Sequence, residues 1–228
     1  MSAMAIARFK DLCIDAASSR RMSEFWAAVI GLGVSYQESG DAALSGARPT
    51  DKIWVNVVPE KQTVKHRVHL DVAAHPSELV ALGATVLRQP DDEIRWTVMA
   101  DVEGGELCAF PPGEFPRRLI ALVVDAGDAE AQARWWAEVL GAVVRPHSNG
   151  WFSAAEIPHA PYGQMLFIPV PEPKTVKNRI HWDITADSKD PLLARGAHLL
   201  RAADDEINWD VLADPEGNEF CVFGPRRD

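Results

Sequence analysis

The chain is written twice. Residues 91–110, DDEIRWTVMADVEGGELCAF, return at 204–223 as DDEINWDVLADPEGNEFCVF, identical at thirteen of twenty positions. Upstream, VPEKQTVKHRVHLDV at 58–72 returns at 170–184 as VPEPKTVKNRIHWDI, identical at nine of fifteen. Nearer the start, LCIDAASSRRMSEFWAAVIG matches LVVDAGDAEAQARWWAEVLG more loosely, and the offset drifts only from 110 to 113 residues. Such a repeat constrains the fold more than composition does, because both copies must reach the same local structure. The chain reads as one domain duplicated, 1–113 and 118–228, with the turn-rich PPGEFPRR at 111–118 as the joint.

Within each copy the order strand, helix, strands occurs twice. DLCID and ALVVD are short β-prone runs; the segment after DLCID places Met22, Phe25, Trp26, Val29 and Ile30 at helical spacing and stops at Gly31. In the second copy Asp128 is a natural N-cap and Gly141 a natural C-cap. Pro76 and Pro191 suit the first turn of a shorter helix, which Gly83 and Gly196 end. KIWVNVVP and GQMLFIPV read as strands leading to a turn, followed by strands RVHLDV and RIHWDI. The fold class is α+β, built from four βαβββ modules.

Strand alternation then sorts the polar residues. RVHLDV puts Arg67, His69 and Asp71 on one face, and RIHWDI does the same with Arg179, His181 and Asp183. DLCID groups Asp11, Cys13 and Asp15, while ELCAF groups Glu106, Cys108 and Phe110. If these strands share a sheet, its second face is a polar floor that no helix covers, which suggests a cleft. The DPEGN turn, by contrast, is accounted for by chain reversal alone at Asp214, Pro215, Gly217 and Asn218; Glu219 and Cys221 lie past it, on the strand.

Composition excludes several classes. A net charge of -10, with no cluster of Lys and Arg, disfavours nucleic acid. No apolar run approaches the roughly 20 residues that cross a bilayer, so no membrane partner is expected. The three cysteines, Cys13, Cys108 and Cys221, form no CxxC pair and cannot all be matched in disulfides, which fits a reducing, cytoplasmic setting. A small-molecule ligand is the expected partner, bound by a monomer or homodimer.

Order and motifs together resemble the vicinal oxygen chelate superfamily, the glyoxalase, bleomycin-resistance and extradiol dioxygenase group. EFWAAVIGLGV and RWWAEVLGAVV look like its aromatic-pair helix ending in Leu-Gly, and HLDV, HWDI and DPEGNEFC look like its strands. VPEPKTVKNRIHWDI with DPEGNEFCVF looks, more narrowly, like the glyoxalase-like subgroup. The resemblance implies paired βαβββ modules curled into ligand-holding cups, two such domains in this chain. It also implies a divalent metal held by a His or Glu on the first strand, a His on the fifth and a Glu on the last. In the first copy those positions fall on Asp11, His69 and Cys108; in the second they fall on Ala121, His181 and Cys221. Only the histidine survives in both, so no cofactor is firmly implied, and a metal is a candidate in the first copy only, with a mixed donor set suited to zinc.

The ligand-binding candidates are therefore the floor residues His69, Asp71, Arg67 and Glu106 in the first copy and His181, Asp183, Arg179 and Glu219 in the second. Trp54 and Trp151 join them because each occurs in one copy only. Trp96 and Trp209 recur in both and read as core. Lys65 and Lys177 read as strand-edge charges. Cysteine nucleophiles would need a depressed thiol pKa. Function stays open between a small-molecule-binding protein, antibiotic-sequestering or an enzyme without tightly bound metal, a divalent-metal-dependent lyase, isomerase or dioxygenase, and a noncatalytic assembly partner.

Overall fold

A computed structural model describes residues 5–60 and 62–225; residues 1–4, Lys61 and residues 226–228 lie outside it. The first module comprises β1 (Arg8–Ala16), α1 (Ser19–Ile30), β2 (Gly33–Tyr36), β3 (Ala42–Ser45) and β4 (Lys52–Val57). The second comprises β5 (Val68–Ala73), α2 (Pro76–Ala81), β6 (Thr85–Arg88), β7 (Thr97–Ala100) and β8 (Glu106–Phe110). The third has β9 (Leu119–Ala126), α3 (Ala129–Leu140), β10 (Val143–Pro146), β11 (Phe152–Ala155) and β12 (Gln164–Pro169). The fourth has β13 (Ile180–Thr185), α4 (Asp190–Leu193), β14 (His198–Arg201), β15 (Asp210–Ala213) and β16 (Glu219–Phe223).

The helices begin and end for the reasons their sequences give. Ser18 caps α1 by accepting from the Arg21 amide, and Asp128 caps α3 by accepting from the Ala131 amide. Gly31 and Gly141 close them in the left-handed region, at φ of 82° and 68°. Their apolar stripes bury Met22, Phe25, Trp26 and Val29 in α1, and Ala133, Trp136, Val139 and Leu140 in α3. Trp136 meets Trp182 and Phe220 edge to face at 4.9 and 5.1 Å, tying α3 to the strands of the fourth module. Each such fully buried large side chain stabilises by roughly 1.5 to 3 kcal/mol. Among the described residues no helix is long and apolar enough to cross a membrane.

Two eight-stranded sheets result, and neither belongs to one repeat. Sheet A runs β14-β15-β16-β13-β1-β4-β3-β2, joining the first and fourth modules; sheet B runs β10-β11-β12-β9-β5-β8-β7-β6, joining the second and third. The junctions are antiparallel, β1 with β13 and β5 with β9. The chain thus visits sheet A, crosses through residues 58–67 to sheet B, stays there through the linker, and returns through 170–179.

The repeated turn carries more than a chain reversal. Asp101 and Asp214 fold it by accepting from amides two and four residues on, Glu103 and Gly105 in one copy, Glu216 and Asn218 in the other. That arrangement aims the turn glutamate across to the other sheet. Glu103 accepts from the Ala17 and Ser18 amides at 2.8 and 2.7 Å, and Glu216 from the Gly127 and Asp128 amides, both at 2.7 Å. Each repeat is laced to itself between the sheets by this carboxylate, a role the sequence did not disclose.

Candidate functional site

The apolar faces of the strands pack on the helices, so the polar faces become the concave sides of both sheets, cup A and cup B. In cup A the register sets Asp11 opposite Asp183, Cys13 opposite His181, Asp183 beside Cys221, and Cys13 beside Trp54. In cup B the same positions set Ala121 opposite Asp71, Val123 opposite His69, Asp71 beside Cys108, and Val123 beside Leu166. Each cup therefore carries a His–Asp–Cys group from one repeat and a first-strand wall from the other.

This pairing dissolves the expected metal set Asp11, His69 and Cys108. Asp11 lies in sheet A, whereas His69 and Cys108 lie in sheet B. Among the described residues the fold assembles instead two groups whose ligand atoms lie within 4.8 Å of one another: Cys13, His181 and Asp183 in cup A, and His69, Asp71 and Cys108 in cup B. In cup B the His69 Nε2 is 3.6 Å from the Cys108 sulfur and 3.5 Å from an Asp71 oxygen. Nδ1 of both His69 and His181 is buried without a partner.

Lys10 was not singled out from the sequence, because simple alternation points it away from Asp11. A register shift between Phe9 and Asp11 marks a bulge there, and a bulge turns an extra residue out of phase. The Lys10 ammonium contacts the Asp11 carboxylate, lies 3.6 Å from Asp183, and sits 4.1 Å over the Phe223 ring. Asp11 also accepts from the Trp54 indole at 3.3 Å, and Lys52 lies 4.4 Å over the Trp54 ring. Trp54 thus faces cup A, with its N–H committed to Asp11.

The thiols are held protonated. Burial pushes the Cys13 thiol well up, reinforced by Asp183, Cys221, Asp11 and Asp15; burial first, then Asp71 or Asp183, does the same for Cys108 and Cys221. Burial also raises the Asp183 pKa, with His181 and Lys10 opposing it. Nucleophilic cysteine chemistry has no support in this environment.

Cup A does not fit a resident divalent ion. Its first-strand carboxylate is taken by Lys10 and Trp54, and the ammonium stands beside Asp183. A dication about 4 Å from that ammonium would meet roughly 8 kcal/mol of repulsion at an effective dielectric near 20. Cup B offers three donors on β5 and β8 and none from the facing Ala121 and Val123.

An apolar cluster lines much of the rest of cup B. Ala73, Ile120, Ala121, Val123 and Leu166 pack together against Phe110, Phe115, Trp151 and Ile168. Trp96 stacks on Phe110 at 5.4 Å and meets Trp151 at 6.1 Å, while Phe115 from the linker meets Phe110 at 5.6 Å. Trp96 and its counterpart Trp209, stacked on Phe223 at 5.2 Å, are half-buried on the concave side and not in the core, contrary to expectation. Phe110 and Phe223 hold them there because the strand pleat turns those rings to the face of Cys108 and Cys221.

Arg67 and Arg179 also leave the expected floor. Both precede their strands, and the turn there directs them between the sheets: Arg67 donates to the Asp125 and Glu172 carbonyls, and Arg179 to the Glu60 carbonyl. They line a recess of about 770 Å³ bounded by residues of both crossing loops, together with Asp15 and Asp125. Lys65 and Lys177 are not simple edge charges but pair with Asp125 and Asp15. Burial would lower the Lys65 pKa, yet Asp125, and more weakly Glu106, raise it. Glu219 is tied to Lys174 at 2.6 Å and to the Asn178 amide, bracing the second loop. His66, also not foreseen, is half-buried beside Gly105, with both ring nitrogens buried and unpartnered.

The comparisons with known proteins agree with this architecture. The family model described as a glyoxalase-like domain matches residues 11–110 and again 121–223. A glyoxalase I mutant from Zea mays is similar over 96% of this chain and 94% of its own, at a TM-score of 0.68 and 13% identity. A putative dioxygenase from Bacillus subtilis is similar over 96% of this chain and 86% of its own, at 0.60 and 11%. The cppA protein of Streptococcus pneumoniae is similar over 97% and 99%, at 0.51 and 12%. These likenesses show the fold, that of the vicinal oxygen chelate superfamily. No curated protein matches the chain. The chain belongs to the glyoxalase-like domain family, in duplicate.

Proposed function

We propose that this glyoxalase-like chain binds a small organic molecule and that cup B seats the flat, apolar part of it. One observation carries the reading. Four half-buried rings, Trp96, Phe110, Phe115 and Trp151, meet on the concave face that also holds His69, Asp71 and Cys108. Partly exposed aromatic rings on a concave apolar surface suit a planar ligand, and the polar trio supplies the few groups that would orient it. The partnerless Nδ1 of His69 adds a buried atom that a bound polar group would satisfy.

Titration with planar aromatic compounds, followed by quenching of tryptophan fluorescence, tests this. Trp96→Ala and Trp151→Ala should each weaken binding about tenfold, close to 1.4 kcal/mol, while Trp54→Ala in cup A leaves it unchanged. Quenching that ignores both cup B substitutions would overturn the assignment.

A second reading rests on the His69, Asp71 and Cys108 trio. These residues would hold a divalent ion, which when bound polarises a substrate oxygen for lyase, isomerase or dioxygenase chemistry. Here the apolar wall would exclude water. A bound equivalent lost on His69→Ala supports this reading; less than about a tenth of an equivalent after zinc, manganese or iron(II) loading discards it.

A further inference from the structure

Cup A carries a cation of its own. We infer that the Lys10 ammonium takes the position a divalent ion would occupy among Asp11, Cys13, His181 and Asp183, and so keeps this cup free of metal. The inference concerns cup A alone and does not rest on the ligand reading of cup B.

Three observations converge on it. First, the donors are assembled: Cys13, His181 and Asp183 offer ligand atoms within 4.8 Å of one another, and Asp11 lies opposite Asp183 across the β1–β13 junction. Second, Lys10 reaches that group from inside the sheet. Its ammonium touches Asp11 and lies 3.6 Å from Asp183, two carboxylates with side chains only 7% and 6% exposed. Two buried carboxylates so close need a positive charge between them, and the lysine supplies it. Third, its placement is built into the backbone. The same bulge recurs in β9, where the pairing of β5 skips from Ala121 to Leu119, and the residue it turns out, Ile120, packs on the concave face of cup B. Lys10 and Ile120 are thus equivalent positions, and the choice between them sets whether a cup carries an internal cation or an apolar plug. The Phe223 ring, 4.1 Å under the ammonium, fixes it further.

Zinc titration of the full chain by calorimetry, with stoichiometry read by native mass spectrometry, tests the inference. The wild type should show no zinc equivalent that depends on His181. Lys10→Met, which keeps the stem and removes the charge, should gain one equivalent, at least about tenfold tighter at that site than wild type, and adding His181→Ala should abolish the gain. Lys10→Gln serves as the second variant should the methionine form fold poorly, circular dichroism reporting the fold of each. A wild-type equivalent already lost on His181→Ala overturns the inference, as does the absence of any gain in the folded Lys10 variants. Tryptophan quenching by the planar ligand, followed on the same samples, reports the cup B reading separately.

Discussion

Cup A sets Lys10, Asp11, Cys13 and Trp54 along its first-module wall where cup B sets Ile120, Ala121, Val123 and Leu166. The facing walls barely differ: His181, Asp183 and Cys221 in one, His69, Asp71 and Cys108 in the other. Because each cup draws its walls from different repeats, divergence of a single module changes one cup and leaves the other untouched. A duplicated domain that swaps its halves can therefore hold a conserved-looking polar trio in both cups and still present two chemistries, one charged and internally neutralised, the other apolar and aromatic.

The difference extends to the buried turns. Asp214 accepts from the Trp136 indole and from both the amide and side chain of Asn218, which in turn accepts from Asn178. Asp101 serves only the Glu103 and Gly105 amides among these bonds, and the Trp26 indole is buried unpartnered. Asp214→Ala should accordingly cost about 4 kcal/mol in urea unfolding and Asp101→Ala about 2, since each stranded buried donor costs about 1 to 3. Equal losses would break the comparison.

His66 and Asn178 occupy equivalent places, and only His66 titrates. Burial, then Arg179 and His69, hold its pKa down at about 4 against an ordinary 6.5. The folded state binds fewer protons than the unfolded one in that window, so the contribution is complete above pH 6.5 and lost as pH falls toward 4. Up to about 3 kcal/mol of stability should disappear across that interval, and His66→Asn should flatten the pH profile there. Denaturation at pH 7 and pH 4 measures both.

Lys174 and Glu219 form a pair with side chains 12% and 13% exposed, where the first repeat has Gln62 reaching the Gly104 carbonyl. Lys174→Ala should cost about 1 to 2 kcal/mol, from the carboxylate it strands, and Gln62→Ala about 0.5. Thermal melts of the two variants compare the loops directly. The smallest effect concerns the thiols: with all three cysteines buried and their pKa values raised, none should react with a disulfide reagent at pH 8 in the native state. Rapid modification of Cys13 in particular would show cup A to be more open than cup B.

Much of this was legible in the residues. Apolar spacing and caps located α1 and α3, because Gly31, Asp128 and Gly141 act on neighbours a few residues away; the Ser18 cap of α1 emerged only in the structure. Period-two alternation placed His69 with Asp71 and His181 with Asp183 on one face for the same reason. Alternation failed at Lys10, where a bulge resets the phase, and at Arg67 and Arg179, which stand just outside their strands. Trp96 and Trp209 misled because recurrence in both copies marks any position the fold uses twice, a cup rim as readily as a core.

The duplication, the βαβββ order and the polar strand faces follow from short-range rules of spacing, capping and pleat, and so were set by the sequence by itself. Which module pairs with which was not. Two repeats so alike present nearly interchangeable strand edges, and the choice falls to the crossing loops at 58–67 and 170–179, the linker, and the reach of Glu103 and Glu216 between sheets. Only the tertiary structure decided that Asp11 and Lys10 would face His181 and not His69, because that neighbour is about 170 residues away along the chain and no local rule extends so far.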